Sequence, residues 1–289
     1  MDLESYNTSR ESLVPLLALN NKSNKNIIIF PTDKEAIKFS TDFSNLNKNI
    51  FHLPSWDTLS YDSFVPSFDI QGKRLEIAHL LLTNNNYNIA TSIKAISQRI
   101  YFEELEICKI ELNEEIDFDS LIENLIHLKY HRKDRVESKG SFAIRGGQLD
   151  VYPINYDLPL RVIFDGDLVN EIKTFDTISQ RSISEKKDIL IVPATELFQI
   201  KHSDILNLSS NKKTNLDDYE LFQYSQNLDL EKCLLDLSSN VALHIVDKNI
   251  VDNQLKEIID IEKDTFENLK QYFSLEIRNF KSRYKDISK

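Results

Sequence analysis

The 289-residue chain carries a formal net charge of −11, and its 41% hydrophobic and 28% charged content suits an ordinary globular protein with ample core material. That charge argues against a sequence-independent grip on nucleic acid, which draws its affinity from cations facing phosphates. No apolar run approaches the roughly 20 residues needed to span a bilayer, so no membrane partner is expected. The N-terminal stretch MDLESYNTSRES is mixed and partly acidic, unlike a signal peptide. Cys108 and Cys233 stand alone without metal-ligand spacing, which fits buried or idle thiols in a reducing cytoplasm.

In chain order, the first third alternates strand and helix. Asn26 to Phe30 (NIIIF) has the apolar run of a buried strand. Pro31 ends it, and Thr32-x-x-Glu35 forms the capping box of a helix reaching about Ser44. Asn49 to Leu53 is a second strand, followed by the aromatic loop PSWDTLSYDSFVPS. Ile70 to Thr83 fits a well-buried helix, Asn88 to Thr91 a third strand, and a short helix follows near Ala95. This alternation implies parallel pairing with right-handed crossovers.

The middle changes character. A helix from about Leu121 to Lys129 precedes short segments of period-two alternation: Gly140 to Ile144, Gln148 to Tyr152, Arg161 to Phe164, Leu168 to Phe175 and Ile189 to Val192. Connections of a few residues favour an antiparallel meander within a small α+β domain, roughly Leu112 to Ala194. His131-Arg132-Lys133 follows the helix and fits a solvated helix end, where cations suit the dipole. His202 to Asp218 is polar and reads as loop, Asn240 to Val246 as another buried strand, and Leu255 to Phe280 as a long amphipathic helix. The simplest architecture is an α/β domain interrupted by an α+β insertion.

Four of the five glycines, Gly140, Gly146, Gly147 and Gly166, fall within 27 positions of the meander. Glycine so sparingly used marks tight turns or close backbone approach. Arg145 lies beside Gly146-Gly147, and Arg161 opens the next apolar run. Each is either a fork available to a flat partner surface or half of a structural ion pair at a strand end. No Gly-x-x-x-x-Gly-Lys-Ser/Thr occurs, so the usual phosphate cradle of a P-loop ATPase is not expected. Asp165 and Asp167 flank a glycine in turn fashion, which favours turn chemistry over divalent-ion binding. His52, His79, His127, His131, His202 and His244 show no metal spacing.

Several ordered motifs carry a family likeness. They are Leu53 to Leu59, Tyr61-Asp62, Gln71 to Leu75, Gly140 to Gly147, Leu149 to Pro153, Pro159 to Val162, Phe164, Gly166-Asp167, Phe175-Asp176 and Ser179 to Ser182. On these residues, from about Asn26 to Ala194 and more loosely beyond, the chain resembles the N-terminal module of bacterial transcription-repair coupling factor (Mfd). That module is itself similar to the excinuclease component UvrB. UvrB carries a working P-loop, and a long damage-probing hairpin after its Tyr-Asp motif. Here no P-loop can be written, and seven residues separate Asp62 from Ile70, which points to the coupling factor.

The resemblance implies a degenerate RecA/helicase-like parallel-sheet α/β domain, residues 1–111 and 196–289, with an inserted α+β domain of UvrB-interaction type at 112–195. It implies no catalysis and no cofactor, a cytoplasmic setting, and docking of the excinuclease component UvrA through Arg145 and Arg161, with DNA reached indirectly through the repair complex. Where the family usually has Phe-Phe-Gly-Asp this chain has Phe164-Asp165-Gly166-Asp167, so Asp165 replaces an aromatic on the face opposite Phe164. Coupling factors continue into polymerase-binding and translocase domains. The chain is therefore expected to be a fragment, a truncated product or a stand-alone relative. Two other readings stand beside the adaptor. One is a DNA-binding module like UvrB, using the aromatic loop to stack on bases, against the filling of an ancestral nucleotide space by Trp56, Tyr61 and Phe64. The other is a remnant that binds nothing.

Overall fold

A computed structural model describes residues 3–6, 24–44, 50–58, 64–100, 102, 104–200, 232–269 and 285. Tyr61, the stretch His202 to Asp218 and the final helix beyond 269 lie outside the described residues. The chain divides into two compact units, one drawn from Met1–Pro66, Ile77–Tyr101 and Ile200–Lys289, the other from Ser67–Glu76 and Phe102–Gln199.

The first unit is α/β. Its strands β1 (Leu3–Tyr6), β2 (Lys25–Phe30), β3 (Phe51–Leu53), β4 (Tyr87–Ser92) and β13 (Ala242–Val246) form a parallel sheet in the order β1-β13-β2-β4-β3. Helix α1 (Asp33–Ser44) starts where Thr32 Oγ1 accepts the Glu35 amide at 3.4 Å. It buries Ala36, Phe39 and Phe43 against Ile28, Phe30, Ala90 and Val246. Phe30 and Phe39 sit with ring centroids 5.1 Å apart. The register also carries a polar string: Asn26 donates to Asn88 Oδ1 at 3.0 Å, and His244 Nε2 lies 3.2 Å from Asn26 Oδ1. Ile27 to Phe30 are buried on both faces, so apolar alternation does not fix the register, and a one-residue slip is opposed by the loss of that polar string. Helix α3 (Ile93–Ser97) is short and capped by Ser92, whose Oγ accepts the Ala95 amide at 3.0 Å. Helix α5 (Lys248–Leu269) begins seven residues before the expected Leu255, because Asp247 accepts the Ile250 and Val251 amides through its carbonyl.

The second unit is built on an antiparallel meander. Strands β7 (Ser141–Arg145), β8 (Gln148–Tyr152), β9 (Leu160–Asp165), β10 (Leu168–Phe175) and β11 (Ser182–Glu185) pair in sequence order. Strand β6 (His131–Arg132) adds to β7 in parallel. The β7–β8 and β9–β10 hairpins use a glycine at the first loop position: Gly146 (φ 60°) between the Arg145↔Gln148 pair and Gly166 (φ 61°) between Asp165↔Leu168. Positive φ there matches the right-handed twist of the flanking strands. Helix α4 (Phe118–His127) is capped by Asp117, whose carboxylate accepts the Ser120 amide at 2.7 Å. It ends two residues before the expected Lys129, because Lys129 takes φ 68° and its amide turns back to Ile126 O.

Two sequence expectations are corrected here. The segment expected at Ile189 to Val192 forms β12 (Asp188–Ile191), which leaves the meander and pairs with β5 (Cys108–Glu111) in a separate two-stranded sheet. Strand β5 was not marked from the sequence, since its apolar partner lies about eighty positions away. His131-Arg132 is strand, not helix end.

The Gln71-Gly72-Lys73-Arg74 motif sits in the first turns of α2 (Phe68–Thr83) and fastens them within this unit. Gln71 Oε1 accepts from the Glu196 amide at 2.9 Å and from Thr195 Oγ1 at 3.0 Å. Gly72 packs so closely that a Cβ there meets the Ile154 carbonyl oxygen at 2.5 Å. Arg74 Nε pairs with Glu196 Oε1 at 2.8 Å, with side chains 0% and 3% exposed. Removing one member of a buried pair strands the other charge, whereas replacing both with apolar groups is close to neutral. Arg74→Ala is therefore expected to lower the unfolding free energy by roughly 3–5 kcal/mol in urea titrations, and Arg74→Met with Glu196→Leu to recover most of it. Equal losses in the single and the double variant place the cost elsewhere.

Candidate functional site

The meander has two unlike faces. Alternation along β9 buries Leu160, Val162 and Phe164 and leaves Arg161, Ile163 and Asp165 on the other side. The first face is the core: those residues pack with Phe142, Leu149, Val151, Val169 and Ile172 beneath Leu121 and Leu125 of α4 and Cys108, Ile110, Ile189 and Ile191 of the two-stranded sheet. Phe164 meets Phe118 edge-on at 5.0 Å. The second face holds only a small apolar cluster, Val136, Ala143 and Phe175 with Tyr152 against it. Around that cluster it is polar and half-exposed.

Arg161 organises this second face. Its Nε and Nη2 donate to the two carboxylate oxygens of Asp150 at 2.7 and 2.9 Å, and Nη1 donates to the Gln180 carbonyl at 3.1 Å. The guanidinium also lies 4.5 Å from the Phe175 ring centroid. Asp150 further accepts from Gln148 Nε2 at 3.0 and 3.1 Å. Hydrogen bonding to Asp150 raises the Arg161 pKa above its ordinary value. With side-chain exposures of 14% and 5%, the pair is a built part of the sheet.

Arg145 differs. It ends β7 exposed, and its Nη2 donates to the Asp134 carbonyl at 3.1 Å. Asp165 is exposed at the end of β9, on the same side of the sheet as Arg161 and Ile163, paired across the Gly166 turn with Leu168. The three sequence candidates thus share one face. Arg161 lies within it, and Arg145 and Asp165 sit at two hairpin ends on its rim.

Other candidates separate. Trp56 is 1% exposed, with its amide donated to Gln98 Oε1 at 3.0 Å, so it offers no stacking surface. Phe64 is 72% exposed and fills no internal space, a correction to the expected filling role. The turn from β2 into α1 holds the Asp33 carboxylate, which accepts from Ser55 Oγ and from Ser92 Oγ, the latter at 2.7 Å. A carboxylate at the first turn of a helix is favoured by the helix dipole. Burial pushes the Cys108 thiol up to about 12 and the Cys233 thiol up to about 11, so neither is a nucleophile near neutral pH. Among the described residues no group of three or more His, Cys, Asp and Glu side chains could hold a metal ion, and no helix is long and apolar enough to cross a membrane.

Residues 108–197, from β5 to just past β12, match the UvrB interaction domain family. The chain is 29% identical over 174 residues to the transcription-repair-coupling factor of Escherichia coli (strain K12), covering 59% of this chain and 15% of that protein. It is 30% identical over 189 residues to the transcription-repair-coupling factor of Bacillus subtilis (strain 168), covering 62% and 16%. It is 25% identical over 190 residues to UvrABC system protein B of Thermosipho africanus (strain TCF52B), covering 60% and 28%. The aligned stretch therefore spans a small part of each relative. Over about three-fifths of its length the chain is thus similar to transcription-repair-coupling factors, and residues 108–197 within that stretch match the UvrB interaction domain family.

The two arginines make opposite demands on stability. Arg161→Ala leaves Asp150 without its main partner and is expected to lower the unfolding free energy by roughly 3–5 kcal/mol. Arg145→Ala, an exposed change, is expected to stay within about 0.5 kcal/mol of wild type. Denaturant unfolding of the two variants checks this, and a stable Arg161→Ala protein removes the structural role assigned to that residue.

Proposed function

We propose that this chain is a non-catalytic adaptor of transcription-coupled nucleotide excision repair, and that it docks the excinuclease component UvrA through the rim of the meander's second face. The observation that carries the reading is a coincidence of position. The UvrB interaction domain match covers β5 to β12, and within it the meander face opposite the core is closed at its centre by Val136, Ala143 and Phe175 but exposes Arg145 and Asp165 at its rim. On that face Arg145 stands exposed at a glycine hairpin. Arginine at such a place offers a planar fork of donors to a carboxylate surface, and truncating an interface arginine often costs roughly 2 kcal/mol or more. In this reading Arg145 contacts the partner, and Arg161 holds Asp150 and the Gln180 turn in the shape that the partner meets. The work belongs in the cytoplasm, needs no cofactor, and reaches DNA only through the assembled repair complex.

Asp165 tunes the contact. An aromatic at this exposed rim position adds an apolar anchor, and a carboxylate removes it while adding charge. The chain therefore binds more weakly than a relative with phenylalanine there, unless the partner supplies a cation opposite Asp165.

Titration calorimetry of the chain against its cognate UvrA tests the reading. Wild type is expected to bind at micromolar concentrations or below, and Arg145→Ala to weaken binding about tenfold, equivalent to about 1.4 kcal/mol. Asp165→Phe is expected to tighten it several-fold. No binding by the wild-type chain at micromolar concentrations overturns the adaptor role. Wild-type affinity in Arg145→Ala moves the contact off this face.

A further inference from the structure

Gly146 and Gly147 stand side by side in the β7–β8 hairpin, yet they meet different demands. Gly146 takes φ 60° at the first loop position, and a Cβ there meets nothing within 4 Å. The backbone angle alone calls for glycine at that place. Gly147 lies outside the left-handed region, so the turn does not require it. In the β9–β10 hairpin the equivalent second loop position is Asp167, which carries a side chain and also lies outside that region. What excludes a side chain at Gly147 is the neighbouring strand. A Cβ there meets the Phe164 carbonyl oxygen at 2.9 Å, and the Phe164 amide donates to the Gly147 carbonyl at 2.7 Å. This contact lies one step beyond the Gln148↔Ile163 pair and is the last rung between β8 and β9 before the hairpins turn.

Past that rung stand Arg145 at one tip and Asp165 at the other. The two tips are held unequally. On its far side the β9–β10 tip is clamped by the segment before α4. There the Asn113 amide donates to the Val169 carbonyl at 2.8 Å, the Val169 amide to the Glu114 carbonyl at 2.9 Å, and the Ile116 amide to the Asp167 carbonyl at 2.8 Å. Asn113 makes that approach with a left-handed φ of 65°. Phe164 is fixed as well, edge-on to Phe118 in the core. The β7–β8 tip has open space at Gly146, and Arg145 at its end is exposed and bonded to the Asp134 carbonyl. A methyl group at position 147 therefore has a fixed carbonyl in front of it and a yielding hairpin behind it. The shift it needs comes from the hairpin that carries Arg145.

We infer that Gly147 is a positioning residue for docking: it lets the two hairpins close up at Phe164, and so sets where Arg145 stands relative to Asp165. A partner surface has to match a cation and a carboxylate at that one spacing. The inference rests on the adaptor reading above for the identity of the partner. It adds a residue that acts on binding through Arg145.

The test is a double-mutant cycle by titration calorimetry against UvrA, with wild type, Gly147→Ala, Arg145→Ala and the double variant, each melted alongside. Gly147→Ala is expected to melt somewhat below wild type, to remain folded at the temperature of titration, and to bind about fivefold more weakly. In the Arg145→Ala background the same change is expected to alter affinity by less than about twofold, because the group it displaces is gone. Equal weakening in both backgrounds makes Gly147 a general support of the fold and overturns the positioning role. Wild-type affinity in Gly147→Ala, with Arg145→Ala still weakened, overturns it too and leaves the docking face intact. Wild-type affinity in Arg145→Ala removes the contact through which Gly147 acts and overturns the inference as well. Absence of wild-type binding overturns both proposals. Where Gly147→Ala does not fold, Asn113→Ala takes its place, since it strains the left-handed residue of the clamp and moves the same spacing from the other hairpin. Its effect is likewise expected to shrink in the Arg145→Ala background, and additive losses there overturn the inference.

Discussion

The bidentate contact between Arg161 and Asp150 sets the character of the meander's second face, the one turned away from the core. A strand that turns one side into a core must place something on its other side. Here β8 and β9 place opposite charges directly across from each other, in the Asp150↔Arg161 register pair. The pair's remaining bonding capacity is used locally: Gln148 donates to the carboxylate, the Gln180 carbonyl takes a guanidinium hydrogen, and Phe175 lies under the cation. Each contact constrains a different piece of chain, so one ion pair fixes two neighbouring strands, the last residue of β10 and the turn after it. A buried pair of this kind is weak evidence for stability but a strong determinant of shape, because alternative arrangements leave a charge unmet.

How much of this was legible in sequence follows from the range of each interaction. Strands β8 and β10 could be bounded to the residue because alternation and glycine turns are local signals. The face on which Asp165 sits followed from period two alone. The β5–β12 pair was not legible, since its members are far apart in sequence and neither gives a strong local pattern. The ends of α4 and α5 were missed for a similar reason: a left-handed Lys129 and an Asp247 turn are backbone events that residue periodicity does not announce. The candidate site divides in the same way. That Arg145 and Arg161 lie on the meander could be read from sequence. That one is tied up and the other exposed could not, because the difference depends on strand register bringing Asp150 opposite Arg161 and the uncharged Gln148 opposite Arg145.

The glycine-poor composition takes on meaning in this light. Gly72 allows a helix to approach the Ile154 carbonyl, and Gly146 and Gly166 turn two hairpins whose ends carry Arg145 and Asp165. The same residues that make the fold possible thus also set out the rim of the second face. A family motif read along such a segment mixes two kinds of requirement, and only the geometry separates them. Gln71, Gly72 and Arg74 are spent within their unit on Thr195, Glu196 and Ile154. Arg145 is not spent in this way.

The exposed arginines of this unit are interleaved with acids: Glu137 lies 3.6 Å from Arg135, Asp134 accepts from Arg145 through its carbonyl, and Asp176 closes the turn before Arg181. Most of the net charge is spread over solvated surface, where screening limits its reach to about 8–10 Å at moderate ionic strength. Within that distance a partner approaching the meander meets Arg135, Arg145 and Arg181 together with Asp134, Glu137 and Asp165. Local arrangement then governs the encounter, while overall charge keeps polyanions without a matching surface away. A rim that carries both signs, Arg145 at one hairpin end and Asp165 at the other, therefore discriminates by the placement of its charges as well as by shape.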